Sequence, residues 1–266
     1  MISKHENSDC FIEAGTGNSP MPYMHFHSHY EIYFLEAGAR EFFVGDKIFA
    51  TSVGSFVLIP PKTLHRTGGE FNYSRTLMGF SEEFLLETYK KEALPALLKC
   101  FEGYFITPPD SKFPHFRTVL KNMAQCRSRL DFSIWMGVLL TELSKCEPGG
   151  NDGDAGKGHL NQIVGYINNN FPNIRSIDEI AKHFYISKSY LCRKFKKSMK
   201  VSLIEYLNSV KIKNACFLIE SSDKKMIQIA HLCGFNSSAY FSNVFKKVLG
   251  KTPRDYKKES HLPHGV

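Results

Sequence analysis

The stretch Ile229–Lys258, IAHLCGFNSSAYFSNVFKKVLGKTPRDYKK, decides the fold of the second half of this chain. Ile229 and Ala230 sit on a short helix that Asp223 is expected to open, and Gly234 is a natural stop for it. Ser237 caps a new helix whose Phe241, Phe245 and Val248 return at helical spacing and face inward, while Ala239, Ser242, Asn243 and Lys246 face outward. Thr252 followed by Pro253 opens one more helix. A short helix, a tight turn and a Ser-capped helix ending in Phe-Lys-Lys is the order of a helix-turn-helix, whose second helix enters the major groove of DNA.

The same order occurs about 50 residues earlier, in Ser176–Lys197, SIDEIAKHFYISKSYLCRKFKK. Ser176 precedes Asp178 and Glu179, and Ser187 caps a helix with Leu191 and Phe195 inward and Ser189, Cys192, Arg193 and Lys196 outward. Each outer face carries small or hydrogen-bonding side chains near its start and lysines near its end. That suits base reading at the helix N-terminus and phosphate neutralisation around it. Between the repeats, Ser202 begins a helix running to about Ser221, roughly 30 Å long at 1.5 Å per residue. One DNA turn is ~34 Å, so the two recognition helices are expected in successive major grooves.

Charge divides the 266 residues in the same place. The net charge is +8, yet residues 1–146 carry 15 Lys/Arg against 16 Asp/Glu, and residues 159–266 carry 18 against 7. A near-neutral half joined to a strongly basic one points to a polyanion partner for the second half. Glu147–Gly158, EPGGNDGDAGKG, has five glycines and no large apolar residue, and reads as a flexible linker. The expected domains are therefore 1–146, the linker 147–158, and 159–266. The N-terminus has no apolar signal region, and the longest strongly apolar run, Phe132–Leu140, is about half of the ~20 residues a membrane span needs. Seven cysteines without a C-x-x-C pair argue against a disulfide framework or a cysteine zinc site. A cytoplasmic protein with no membrane partner is expected.

Residues 22 to about 80 alternate short Phe/Tyr/Val/Ile runs with Gly, Pro or Asp, as in Glu31–Leu35, Glu41–Val44, Lys47–Ala50 and Ser55–Ile59, which predicts a small antiparallel barrel or sandwich. Residues 81–146 turn helical, starting at a Ser81 cap. Phe116, Leu120, Met123 and Arg127 form one stripe, and Phe132, Trp135, Leu139 and Leu143 another. Such stripes either pack on the barrel or form a homodimer seam. The fold class is α+β: an antiparallel β-barrel with packed helices, then an all-α domain with two helix-turn-helix motifs joined by a long helix. His25, His27, His29 and Glu31 alternate, so in a strand all four share a face, and His65 follows the Pro60-Pro61 turn. Three histidines and a carboxylate can bind a divalent metal such as Zn, Ni, Mn or Fe.

Residues 160–258 resemble the double helix-turn-helix domain of the AraC/XylS family of transcription regulators, on the two motifs quoted above. The resemblance implies base reading from Ser189, Cys192 and Arg193 in the first recognition helix, and from Ser238, Ala239, Tyr240 and Asn243 in the second. Lys188, Lys196, Lys197, Lys246 and Lys247 are the expected phosphate contacts. Many members carry Arg where this chain has Asn243, and Asn pairs best with adenine. Arg193 is the best candidate for reading a guanine.

The N-terminal spacing resembles the cupin barrel. His25-x-His27-x3-Glu31-x6-Gly38 matches its first motif, and Gly54-x5-Pro60-x4-His65 most of its second, with Lys62 where Gly is common and Gly69 in place of the usual Asn. Cupin sensor domains are frequent in AraC/XylS proteins. By resemblance the effector is a small polar molecule such as a sugar inside the barrel, with Tyr23, His25, His27, Glu31, Tyr33, Arg40 and His65 as pocket residues. Three roles stay open for His25, His27, Glu31 and His65: metal ligands, a metal-free effector pocket, or structural histidines. The combined reading is a ligand-responsive, homodimeric regulator of double-stranded DNA with a surface open to RNA polymerase, no catalytic residues and no required cofactor. The alternative is a metal-dependent cupin enzyme fused to a DNA-binding domain.

Overall fold

Alternation of inward and outward side chains builds the first unit of the chain. The structure is a computed structural model, and it describes residues 9–19, 21, 24–45, 47–69, 72–149 and 158–260. The strands are β1 (Cys10–Gly17), β2 (Tyr30–Gly38), β3 (Arg40–Val44), β4 (Lys47–Thr51), β5 (Phe56–Ile59), β6 (His65–Gly68), β7 (Tyr73–Phe80) and β8 (Phe105–Ile106). They form two antiparallel sheets, one in the order β1-β7-β2-β5-β8 and one in the order β4-β3-β6. Tyr33 and Leu35 of β2 join Phe42, Val44, Phe49, Val57 and Ile59 in an apolar cluster drawn from both sheets. Ile32 and Phe34, one residue out of phase, join Phe56, Leu58, Met78 and Phe80 in a larger cluster with the helices. At β2 and β5 both faces of the larger sheet are thus buried, and a side chain such as Phe34 contributes roughly 1.5–3 kcal/mol by leaving water. β1 begins well before the first strand expected from the sequence. CFIEAGTG has two glycines and weak apolar content, and it is held by full-length pairing with β7, from Cys10 opposite Phe80 to Gly17 opposite Tyr73.

The helices of this unit are α1 (Glu82–Thr88), α2 (Leu94–Leu98), α3 (Phe113–Gln125) and α4 (Arg129–Ser144). Ser81 caps α1, its hydroxyl accepting from the Phe84 N–H at 3.0 Å. Both stripes read from the sequence point inward: Phe116, Leu120 and Met123 of α3, and Phe132, Leu139 and Leu143 of α4, are buried in the helix-facing core, with Trp135 packed against it. Their seam role is therefore corrected, because this chain's own sheet already covers them. Arg127 is exposed beyond the end of α3. The apolar face of α4 left in solvent is a different one, Leu130, Ile134 and Val138, at 70%, 57% and 36% exposure.

The chain divides into two compact units between residues 153 and 154, inside the stretch read as a linker, and residues 21–26 group with the second. Most of the linker, residues 150–157, lies outside the described residues. The second unit holds α5 (Gly158–Asn170), α6 (Ile177–His183), α7 (Lys188–Met199), α8 (Leu203–Ser221), α9 (Met226–Leu232), α10 (Ser238–Leu249) and α11 (Pro253–Ser260). Ser176, Ser187, Ser202 and Ser237 cap α6, α7, α8 and α10, and Ser202 with Glu205 closes a capping box. The cap of α9 is Lys225, whose N–H donates to Gln228 Oε1 at 3.0 Å, rather than the expected Asp223.

The two helix-turn-helix turns share one backbone geometry. Tyr185 N–H donates to Lys182 O and Ile186 N–H to Ala181 O; Gly234 N–H donates to His231 O and Phe235 N–H to Ala230 O. Tyr185 and Gly234 both take left-handed φ, 54° and 76°. A Cβ at Gly234 would stand 2.5 Å from Pro172 O, so glycine is required there, whereas Tyr185 is 96% exposed and clears everything.

Lys211, on α8 and 6% exposed, ties the repeats together: its ammonium donates to Ile174 O at 3.0 Å and to Gly234 O at 2.8 Å. Burial, with Arg175 nearby, pushes this ammonium down to about 8 from its ordinary 10.5. The folded chain therefore releases this proton before the unfolded chain does, and stability from this site rises as pH climbs from about 8 toward 10.5. Lys211→Met leaves two buried carbonyls without their donor and should cost about 1–3 kcal/mol. The gap in Tm between wild type and Lys211→Met should widen from about pH 7.5 to about pH 9.5, and a constant or narrowing gap contradicts this account.

Candidate nucleic-acid interface and effector pocket

Leu191 and Phe195 of α7 and Phe241, Val244 and Phe245 of α10 are buried, which fixes the opposite faces of both helices in solvent. Ser189 and Arg193 on α7, and Ser238, Ala239, Tyr240 and Asn243 on α10, are exposed; Cys192 is partly exposed. All the residues expected to read bases thus lie on accessible faces of the two second helices. Lys196, Lys197 and Lys246 are exposed and make no ion pair among the described residues. Lys188 pairs with Asp178 at 2.8 Å and Lys247 with Glu205 at 3.6 Å. The hydrogen bond to Asp178 raises the Lys188 ammonium above its ordinary value, but a fully exposed pair of this kind is easily exchanged for a phosphate. The Tyr240 hydroxyl accepts from Asn208 Nδ2 of α8 at 3.1 Å, so one side of Tyr240 is anchored to the helix between the motifs.

In the sheet unit, polar residues flank the apolar cluster between the sheets at its two ends. At one end stand His27, Glu31 and His65. His27 Nε2 lies 3.1 Å from Glu31 Oε2, and His65 Nε2 lies 4.0 Å from Glu31 Oε1. His27 Nδ1 meets His29 O at 2.9 Å and His65 Nδ1 meets Thr63 O at 2.8 Å, so both rings turn Nε2 toward the carboxylate. One ligand atom from each of the three lies within 4.8 Å of the others. The expected strand alternation does not hold across this segment: β2 starts only at Tyr30, His29 stacks on His27 with ring centroids 3.8 Å apart, and His25 falls with residues 21–26 in the other unit. The group of three ligand atoms comprises His27, Glu31 and His65, without His25. Tyr23 lies outside the described residues.

At the other end is Arg40, in the row of β3 that includes Phe42 and Val44, about 13 Å along the strand from the position paired with His65. Its guanidinium donates to Ser19 O, Thr67 Oγ1 and Gly69 O and lies 3.9 Å over the Tyr73 ring. Tyr33 is buried between the ends, and burial pushes its phenol up to about 12 against the pull of Arg40 and Arg75. Sequence reading missed Thr67, Tyr73 and Arg75. The signal for the last two was available: Tyr73, Arg75 and Leu77 alternate along one strand, and the charge falls on the inward phase.

Residues 8–105 match the AraC-like ligand binding domain family, and residues 180–259 match a helix-turn-helix domain family. The Msm operon regulatory protein of Streptococcus mutans is 24% identical over 242 residues, 87% of this chain and 84% of that one. The melibiose operon regulatory protein of Escherichia coli is 26% identical over 50% of this chain and 43% of its own length, and the transcriptional activator RhaS of Yersinia pestis 28% identical over 48% and 46%. Among solved structures, ToxT from Vibrio cholerae aligns over 94% of this chain and 98% of its own at 16% identity, with a TM-score of 0.39, a likeness too slight to inform either unit. These relatives are transcription regulators rather than enzymes, which sets aside a cupin enzyme. No helix among the described residues is long and apolar enough to cross a membrane.

Two substitutions separate reading from anchoring. Arg193→Ala should weaken binding to the specific site by about 1–3 kcal/mol and relax preference at one base position, whereas Lys196→Ala should weaken all sequences alike and lower the salt slope by about 1. Binding measured across a base-substituted operator panel at several salt concentrations checks both.

Proposed function

The chain belongs to the AraC family of ligand-responsive, DNA-binding transcription regulators, and on that premise we propose that its effector is a small polar metabolite of sugar type held between the two sheets. What supports this is the composition of the layer between the sheets: a buried Tyr33, Phe42 and Phe49 middle flanked by His27, Glu31 and His65 at one end and Arg40 at the other. A polyhydroxyl ligand needs apolar walls for its ring faces and a few fixed donors and acceptors for its hydroxyls. The melibiose operon regulator among the relatives favours the same class. Ser189, Cys192, Arg193, Ser238, Ala239, Tyr240 and Asn243 then read bases, and Lys188, Lys196, Lys197, Lys246 and Lys247 hold phosphates. The 19-residue α8, about 28 Å long, supports setting α7 and α10 in successive major grooves. The domain assignment is 1–146 for sensing, 147–158 as linker and 159–266 for DNA.

His27, Glu31 and His65 form a donor set that a divalent ion could use, each ring being oriented by a carbonyl on its other nitrogen. We read them as the polar wall of the effector pocket, with no resident metal required. The protein works in the cytoplasm, where DNA and RNA polymerase are both at hand. A thermal-shift screen of sugars on the full chain, followed by operator binding with each hit, tests the reading. A stabilising sugar should also change operator affinity, and His65→Ala should abolish both effects. Stabilisation without any change in DNA binding would contradict the regulatory role.

The regulator acts as a homodimer through the outer face of α4. Leu130, Ile134 and Val138 recur every four residues on a helix whose other face is already buried, and an exposed stripe of this kind favours a second apolar surface. Ile134→Glu should shift the protein from dimer to monomer in sedimentation while leaving its Tm within a few degrees, since Ile134 adds nothing to this chain's own core. An unchanged sedimentation profile removes this face as the seam.

A further inference from the structure

Around Arg40 the sheet unit buries a positive charge that its described residues do not neutralise. Arg40 is 3% exposed, and its acceptors, Ser19 O, Thr67 Oγ1 and Gly69 O, are all uncharged. No described carboxylate stands within ion-pair distance of it, and its Nε–H has no acceptor. A buried charge without a counter-charge is costly, and native proteins keep one chiefly where something pairs with it. Two neighbours share the condition. The Tyr33 hydroxyl, equally buried, has no hydrogen bond of ordinary geometry, although Arg40 stands close enough to act on it as a hydrogen-bond donor as well as a charge, and Arg75 acts on it as a charge. Arg75 lies over the Tyr33 ring; its Nη2 donates to Glu13 Oε1 at 2.9 Å, while its buried Nη1 has no acceptor. Among the described residues, two guanidiniums stand against one carboxylate. β1 keeps side chains out of the way here: a Cβ at Gly15 would stand 3.3 Å from Arg75 Cζ, and one at Gly17 2.7 Å from Tyr73 Oη.

We infer that this end of the intersheet space is an anion subsite, and that the effector carries a carboxylate or phosphate group received by Arg40 Nε, Arg75 Nη1 and the Tyr33 hydroxyl. Charge-assisted bonds from a planar guanidinium suit either anion. The inference rests on the intersheet space being the effector pocket and narrows the ligand from a polar metabolite to an acidic one.

Thermal melts of the full-length protein test it. The probes are D-glucuronate, D-glucose 6-phosphate and inorganic phosphate, set against D-glucose and chloride at matched ionic strength. At least one anion should raise Tm by several degrees while glucose does not, and Arg40→Gln should abolish the shift; which anion succeeds identifies carboxylate or phosphate. If Arg40→Gln does not fold, Tyr33→Phe keeps the ring packing and should weaken the anion by about tenfold, the loss of one bond to a charged group. No shift from any anion, or a shift that survives Arg40→Gln and Tyr33→Phe, overturns the subsite. A glucose shift equal in wild type and Arg40→Gln also overturns it, yet leaves the polar pocket standing. The pocket itself fails only if no sugar, neutral or acidic, moves Tm while the protein still binds DNA.

Discussion

The period of two along β2 is the constraint on which the sensing half depends. Glu31, Tyr33 and Leu35 point between the sheets, and Ile32 and Phe34 point to the helices. A slip of one residue would exchange these sets, placing a carboxylate in the helix-facing core. Pairing of Glu31 with Ile59 on one side and Gly79 on the other locks the phase. The same lock sets Arg75 and Leu77 inward on β7. Polar residues at both ends of the space are thus a consequence of register, and the aromatic middle keeps them about a strand's length apart.

The DNA-binding half depends on a different economy. Its helices are short, and α6 and α9 have only seven residues each, too few to be stable alone. Serine caps define where each begins, but packing on α8 holds them. Lys211 shows how specific that packing is: one buried ammonium satisfies carbonyls from both repeats, and Arg175 adds a hydrogen bond to Asn236 at 3.3 Å. The repeats are alike in backbone and unlike in surroundings. Tyr185 and Gly234 occupy equivalent left-handed positions, yet only Gly234 faces another segment closely enough to exclude a side chain.

The helical half was largely legible. Caps, apolar spacing and the glycine stop act within a turn or two of chain, so Ser176, Ser187, Ser202 and Ser237 announce their helices, and the exposed faces of α7 and α10 follow from which residues must be buried. The exception is α9, where Asp223 offers a capping side chain but the backbone turns two residues later. The sheet half was legible as a class and not as a map. β1 is carried by its partner β7 rather than by its own composition, which no local pattern reveals. The apolar stripes of α3 and α4 were recognisable, but whether they meet this chain's sheet or a second copy depends on where the sheet lies.

By itself the sequence determined the two repeated helix-turn-helix units, the exposed faces of their second helices and the division of charge, because each is set by residues within a few positions of one another. Only the tertiary structure decided that His27, Glu31 and His65 gather, that Arg40 and Arg75 both stand against Tyr33, and that the solvent face of α4 is Leu130, Ile134 and Val138. Those groupings join residues tens of positions apart, and strand register and helix docking, not spacing along the chain, bring them within bonding distance.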